Sequence, residues 1–152
     1  MIIMKFGGTS LGDAERIFNA SRIIQQKQAP KSIAVVLSAV AGVTNLCEQL
    51  LTQYSTSQAN ILLADIENKH LGIANDLVRL VPSIGLGELQ KALRKEFDVC
   101  RDAVTQLADS PDSRHLQSTI ITTGERLSVQ LMLAVLNGQN VPAQHLPAAE
   151  YM

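Results

Sequence analysis

The chain reads as an α/β protein built on a mainly parallel sheet, with a long helical hairpin. Three observations predict this. Short β-branched and apolar runs at Ile2 to Phe6 and Ile33 to Leu37 alternate with segments of helical period, giving strand, helix, strand, helix, the order of a βαβ unit. Two long apolar stripes at helical spacing then follow, parted by Pro82 and Gly85. Finally, 152 residues that are 46% hydrophobic and 18% charged can bury one sizeable core, with no room for two domains.

Ile2, Ile3, Met4 and Phe6 stop at Gly7-Gly8, a pattern typical of a central strand covered on both faces. Ser10 with Asp13 three residues later resembles a capping box. Behind it Ile17, Ala20 and Ile24 repeat at helical spacing to about Lys27, and Pro30 lies just beyond. After the second strand, Thr44 offers an N-cap to a helix carrying Cys47, Leu50 and Tyr54 on one face. The polar stretch Thr52 to Asn60 reads as a loop between helices.

The first stripe is Leu62, Ile66, His70, Ile73, Leu77 and Leu80; the second is Leu86, Leu89, Leu93, Phe97, Cys100, Val104 and Leu107. Steps of three and four residues with a Pro/Gly break between them predict an antiparallel helical hairpin. Arg94, Lys95, Glu96, Arg101 and Asp102 read as its solvated face. Beyond Pro111 come the apolar strip Ile120-Ile121 and a helix from about Arg126 to Asn137. That helix is apolar nearly all round, which predicts burial on more than one side, and Gly138 is its expected C-terminal cap. Val141 to Leu146 reads as a third strand, weakened by Pro142. Three short strands are few for a finished parallel sheet.

Thirteen Lys plus Arg against fourteen Asp plus Glu leave a net charge of -1. A nucleic-acid grip or membrane-surface footprint needs a basic excess, so neither partner is expected. Cys47 and Cys100 have no companion cysteines, which excludes a disulfide-dense secreted scaffold and a four-cysteine zinc site. No segment reaches the roughly 18 apolar residues of a spanning helix, and Met1 to Phe6 is too short for a signal-peptide core. The default compartment is the cytoplasm.

Three polar clusters stand where a strand ends or a helix begins, the edge at which open α/β sheets bind ligands. In Lys5-Phe6-Gly7-Gly8-Thr9-Ser10, paired glycines let the backbone approach a phosphate and Lys5 brings a cation; the other reading is a simple turn beside a snorkelling lysine. It is neither a Walker loop nor a dinucleotide fingerprint, since Gly85-Leu86-Gly87 has Gln90 in place of a third glycine. Ser38 to Asn45 places Ser38, Thr44 and Asn45 among small residues, either as ligand groups or as a capped loop. In Thr122 to Ser128, Glu125 and Ser128 share a helix face; Glu125 is either a partner of the helix dipole or a ligand for a cation. His70 and both cysteines read as core, and His115 and His145 have no ligand companions at metal spacing. No metal site is expected.

Taken together and in this order, KFGGTS at Lys5 to Ser10, LSAVAGVTN at Leu37 to Asn45 and TTGERLS at Thr122 to Ser128 resemble the N-terminal part of the aspartate kinases, in the amino acid kinase superfamily. The resemblance covers nearly the whole chain from Ile2 and is weakest across the hairpin and after Gly138. It implies a three-layer αβα sandwich of which this chain supplies the N-terminal portion. Residues 1–152 would be the aspartate and phosphate side of one amino acid kinase domain, with the nucleotide-binding half and the regulatory domains absent, so that the chain is a fragment.

The resemblance also implies an activity: transfer of the γ-phosphoryl of ATP, with Mg2+ held mainly by the nucleotide, to the side-chain carboxylate of L-aspartate. The product, 4-phospho-L-aspartate, opens the route to lysine, threonine and methionine. Lys5 would be the catalytic cation, with Gly7, Gly8, Thr9, Ser10 and Ser38 at the phosphates. Ser38, Thr44 and Glu125 would hold aspartate, Glu125 by its α-ammonium. The isolated chain is expected to be inactive. A different carboxylate or carbamate acceptor, or a non-enzymatic association module, are the alternatives. An unfinished sheet with an open edge also points to a homo-oligomer.

Overall fold

The computed structural model of the chain describes residues 1–27 and 32–147. Strand β1, Ile2–Phe6, pairs in parallel with β2, Ile33–Leu37, in the register Ile2 to Ile33 through Phe6 to Leu37. Between them runs helix α1, Ala14–Lys27, burying Ile17, Ala20 and Ile24. This is the βαβ beginning that the apolar runs predict. Pro30, expected to follow the helix, lies outside the described residues. Asp13 alone caps α1, its Oδ1 accepting from the Arg16 amide at 2.8 Å. The capping box with Ser10 does not form, because Ser10 belongs to a short 3-10 turn, Gly8–Leu11.

Alternation along both strands turns Phe6 and Leu37 to the helices and Ile3, Lys5 and Val36 to the other side. Among the described residues that second face is open: Ile3 is 69% and Val36 50% exposed. The expectation of a strand covered on both faces therefore fails for β1 here. The described sheet has two strands. Val141–Leu146, the expected third, has no regular structure: Val141 is buried, but its amide folds back to the Leu136 carbonyl at 2.9 Å, and Pro142 has no N–H for a ladder.

Helix α2, Val43–Gln53, is capped by Gly42, whose φ of 83° suits glycine, and Thr44 lies inside the first turn, not at the cap. The loop expected over Thr52 to Asn60 is far shorter, because helix α3, Ser57–Leu80, starts early and buries Ala59 and Leu62. Polar composition misled here: the first turn exposes Ser57, Gln58 and Asn60 while Ala59 faces inward.

Helix α4, Leu86–Leu107, completes the predicted hairpin, and its stripe from Leu89 to Leu107 is buried. The α3 stripe is buried from Leu62 to Leu77, while Leu80 remains 39% exposed. Ile120-Ile121, expected as an apolar strip, is the end of helix α5, Arg114–Ile121, whose cap Ser113 accepts from the Leu116 amide. Helix α6, Thr123–Gly138, follows after a single joint residue, Thr122, and starts three residues before the expected Arg126.

As its composition predicts, α6 is central. It packs against α1, α2, α3, α4, α5 and β2 and buries Leu127, Leu131, Met132, Val135 and Leu136. Gly138 is the last residue of α6 and not the left-handed cap; Asn140, with φ 58°, takes that conformation. Gly138 serves close packing instead. A Cβ there would stand 2.9 Å from Ile84 Cγ1, and its carbonyl accepts from Ser83 Oγ at 2.5 Å.

His70 is the core histidine that its stripe position suggests: fully buried, with Nδ1 2.7 Å from the Ile66 carbonyl and its ring edge to Phe97. Its Nε2 has no partner. Burial lowers its pKa to about 4, against the opposing bond to Ile66, and nearby Lys69 adds to the lowering. The unfolded chain therefore binds more protons between about pH 6.5 and 4, so stability is full above pH 6.5 and falls as pH drops towards 4. The expected loss is roughly 3 kcal/mol across that window. Urea unfolding at pH 7 and pH 4 should show this loss in the wild type and little of it in His70→Gln; equal losses in both would assign the pH effect elsewhere.

Candidate functional site

The three polar clusters, far apart in sequence, meet at the C-terminal edge of the sheet. Ser38 follows β2 directly, and its amide donates to the Phe6 carbonyl at 3.0 Å, which aligns the turns after the two strands. The Gly-Gly turn then packs on the loop after β2: a Cβ on Gly8 would stand 2.8 Å from the Ala39 carbonyl oxygen. From the other side, a Cβ on Gly124 would stand 2.6 Å from Ala39 Cβ and 2.8 Å from Val43 Cγ1. Ala39 thus lies between two glycines, each small because a neighbouring element comes too close for a side chain.

Around this contact the sequence-predicted residues are distributed by exposure. Lys5, Gly7, Thr9, Ser10, Thr44 and Glu125 are exposed, and Gly8 and Ser38 are half-buried. Gly7 precedes the 3-10 turn in extended conformation, and a Cβ on it would meet nothing within 4 Å. Open space therefore stands beside that backbone. The turn is braced from α1: Arg16 Nη1 donates to the Thr9 carbonyl at 2.7 Å. Thr44 and Glu125 both sit in the first turn of their helices, α2 and α6, where the macrodipole presents its positive end.

Lys5 differs from the rest in direction. It shares the open sheet face with Ile3 and Val36, near the C-terminal ends of the strands.

Beneath the turn carrying Glu125 lie both cysteines, buried as expected. Burial pushes the Cys47 thiol up to about 12; the charge of a Cys100 thiolate would add to this and the Gly124 amide opposes it. Cys100 is raised by the same cause, with the Thr123 hydroxyl opposing. Both are therefore protonated core groups at neutral pH, not nucleophiles. Among the described residues no group of three or more His, Cys, Asp or Glu is placed to hold a metal ion. No helix among them is long and apolar enough to cross a membrane.

Sequence reasoning missed Arg126 and Glu96. Glu96 was expected on the solvated face of α4, yet its side chain is only 13% exposed and pairs with Arg126 at 2.8 Å. Arg126 follows Glu125 directly and binds the joint between α5 and α6. The available signal was an arginine at the start of a helix otherwise apolar; its partner lies 30 residues away and has no local mark.

Residues 1–151 match the family model described as the amino acid kinase family. It is 32% identical to the bifunctional aspartokinase/homoserine dehydrogenase of Buchnera aphidicola over 92% of this chain and 17% of that protein. It is 38% identical to an aspartokinase of Chlamydia trachomatis over 98% of this chain and 31% of that one. The fold matches Escherichia coli aspartokinase III solved with lysine and aspartate, at a TM-score of 0.79 and 23% identity, over 93% of this chain and 30% of that chain. A second structure of that enzyme, with aspartate and ADP, gives a TM-score of 0.72 at 25% identity over 95% of this chain and 30% of that one. The chain thus spans less than a third of the length of these relatives. With three motif loops gathered at one sheet edge and a family match along its length, the chain belongs to the amino acid kinase family.

Proposed function

We propose that the chain is the aspartate- and phosphate-handling part of an aspartate kinase, which transfers the γ-phosphoryl of ATP to the side-chain carboxylate of L-aspartate. The observation that carries this reading is the close contact of Ala39 with both Gly8 and Gly124. It gathers a glycine turn, hydroxyl-bearing loops and the turn carrying Glu125 around one edge, with Lys5 on the open face at the adjoining strand ends. The names of the relatives point the same way, since both proteins cited are aspartokinases.

The chemistry asks little covalent work of these residues. An aspartate carboxylate has an ordinary pKa of about 3.9 and is ionised at neutral pH, so it attacks without a general base. The remaining task is to hold two anions together and neutralise the moving charge. Lys5 supplies positive charge from the end of β1. The open backbone at Gly7-Gly8 fits a phosphate, with Thr9 and Ser10 in the 3-10 turn behind it. Ser38 borders the transferred group. Thr44, at the positive end of α2, receives the acceptor, and Glu125 pairs with its α-ammonium. MgATP supplies the phosphoryl group and its own counter-ion.

Hydroxylamine trapping of the acyl phosphate tests the acceptor. The full-length kinase should yield the aspartyl hydroxamate and none from glutamate; the reverse would assign a different amino acid. The pure 152-residue chain is expected to show no aspartate-dependent ATP turnover, and turnover by that chain alone would reject its assignment as a part.

A further inference from the structure

Arg126 makes more polar contacts than any cluster residue around it. Its Nε meets Glu96 Oε2 on α4 at 2.8 Å, its Nη1 donates to the Thr119 carbonyl at 3.1 Å and to Thr122 Oγ1 at 2.7 Å, and its Nη2 reaches Thr123 Oγ1 at 3.2 Å. Gln130 Nε2 donates to the other Glu96 oxygen at 3.3 Å. One guanidinium therefore ties three pieces together: the last turn of α5, the first turn of α6 and the middle of α4. The joint it spans is a single residue, Thr122.

We propose that Arg126 is a positioning residue for Glu125. Held by Glu96, it sets the orientation of the first turn of α6 and so the direction in which the neighbouring carboxylate projects. Arg126 is half-buried over the joint while Glu125 is exposed, so the two side chains of one turn divide the tasks of anchoring and presenting. The fork geometry is what the site uses. Lysine keeps the charge but has no planar set of donors able to serve a carboxylate, a carbonyl and two hydroxyls together. The helical hairpin thereby acquires a role at the site, since α4 supplies the anchor.

The role of Glu125 as acceptor ligand rests on the function proposed above, so two independent measurements are needed. In the full-length kinase, Arg126→Lys should raise the KM for the acceptor about tenfold, the scale of a small misplacement of a binding group, with the KM for ATP within about twofold. In a Glu125→Gln background the same change should add nothing to the acceptor KM, because Arg126 acts through that carboxylate. Independent, multiplying effects, or a fall in kcat with both KM values unchanged, overturn the proposal.

The second measurement needs no substrate. Amide hydrogen exchange in the 152-residue chain should quicken at Thr122 and Arg126 in Arg126→Lys and in Glu96→Gln, with Met4 to Phe6 unchanged. Unchanged exchange at the joint overturns the positioning role whatever the acceptor is. If the wild-type kinase turns over no aspartate, the substrate reading falls and the exchange result alone decides the role of Arg126.

Discussion

Lys5→Met in the full-length kinase is expected to lower kcat by a factor of about 100 to 1,000, the range for removing one preorganised group that stabilises transition-state charge. The fold should not suffer. Lys5 is exposed on the open face of β1, and replacing an exposed side chain away from caps and cores costs within about 0.5 kcal/mol. Steady-state ADP release and a thermal melt on the same preparation separate the two effects. A kcat within about threefold of wild type, with an unchanged melt, would remove Lys5 from the charge-neutralising role. Lys5→Arg should recover part of the loss, since the charge returns on a longer and planar group.

The second large effect falls on packing. Gly124→Val should destabilise the chain by about 3 kcal/mol and, in the full-length kinase, abolish activity. Even the first atom of a side chain would stand 2.6 Å from Ala39 Cβ, and valine adds two methyls to that overlap. Relief requires α6 to move away from the loop after β2, which displaces the first turn that carries Glu125. Gly72, on an exposed part of α3, is the control. A Cβ there meets nothing within 4 Å, so Gly72→Ala should stabilise by about 1 kcal/mol through helix propensity alone. Urea unfolding of both variants checks the pair. Stabilisation by both substitutions would show that helix propensity, not the contact with Ala39, governs Gly124.

Periodicity explains why the hairpin was legible. Leu62 to Leu77 and Leu89 to Leu107 repeat over about four and about five turns, and the interruption at Pro82 to Gly85 is chemically unambiguous. The strands were legible because β-branched runs of five residues leave few alternatives. Helix α5 was not. Its eight residues, RHLQSTII, are mostly polar and end in a β-branched pair, so local preference does not single out a helix. Its stability comes from packing against α2 and α4. The misreadings at Thr44 and Ser10 share one cause. A hydroxyl near a helix start suggests a cap, but the turn geometry assigned capping to Gly42 and Asp13.

By itself the sequence determined the kinds of element, their order and the residue types available for chemistry, because strand and helix periods and short motifs are local properties of the chain. Only the tertiary structure decided that Gly8 and Gly124, more than a hundred residues apart, both close on Ala39. It alone joined Glu96 to Arg126, turning a solvent-face carboxylate into an anchor for the joint between α5 and α6. The reason is that close approach and charge pairing depend on distances between elements, and no spacing along a chain encodes a distance across a core.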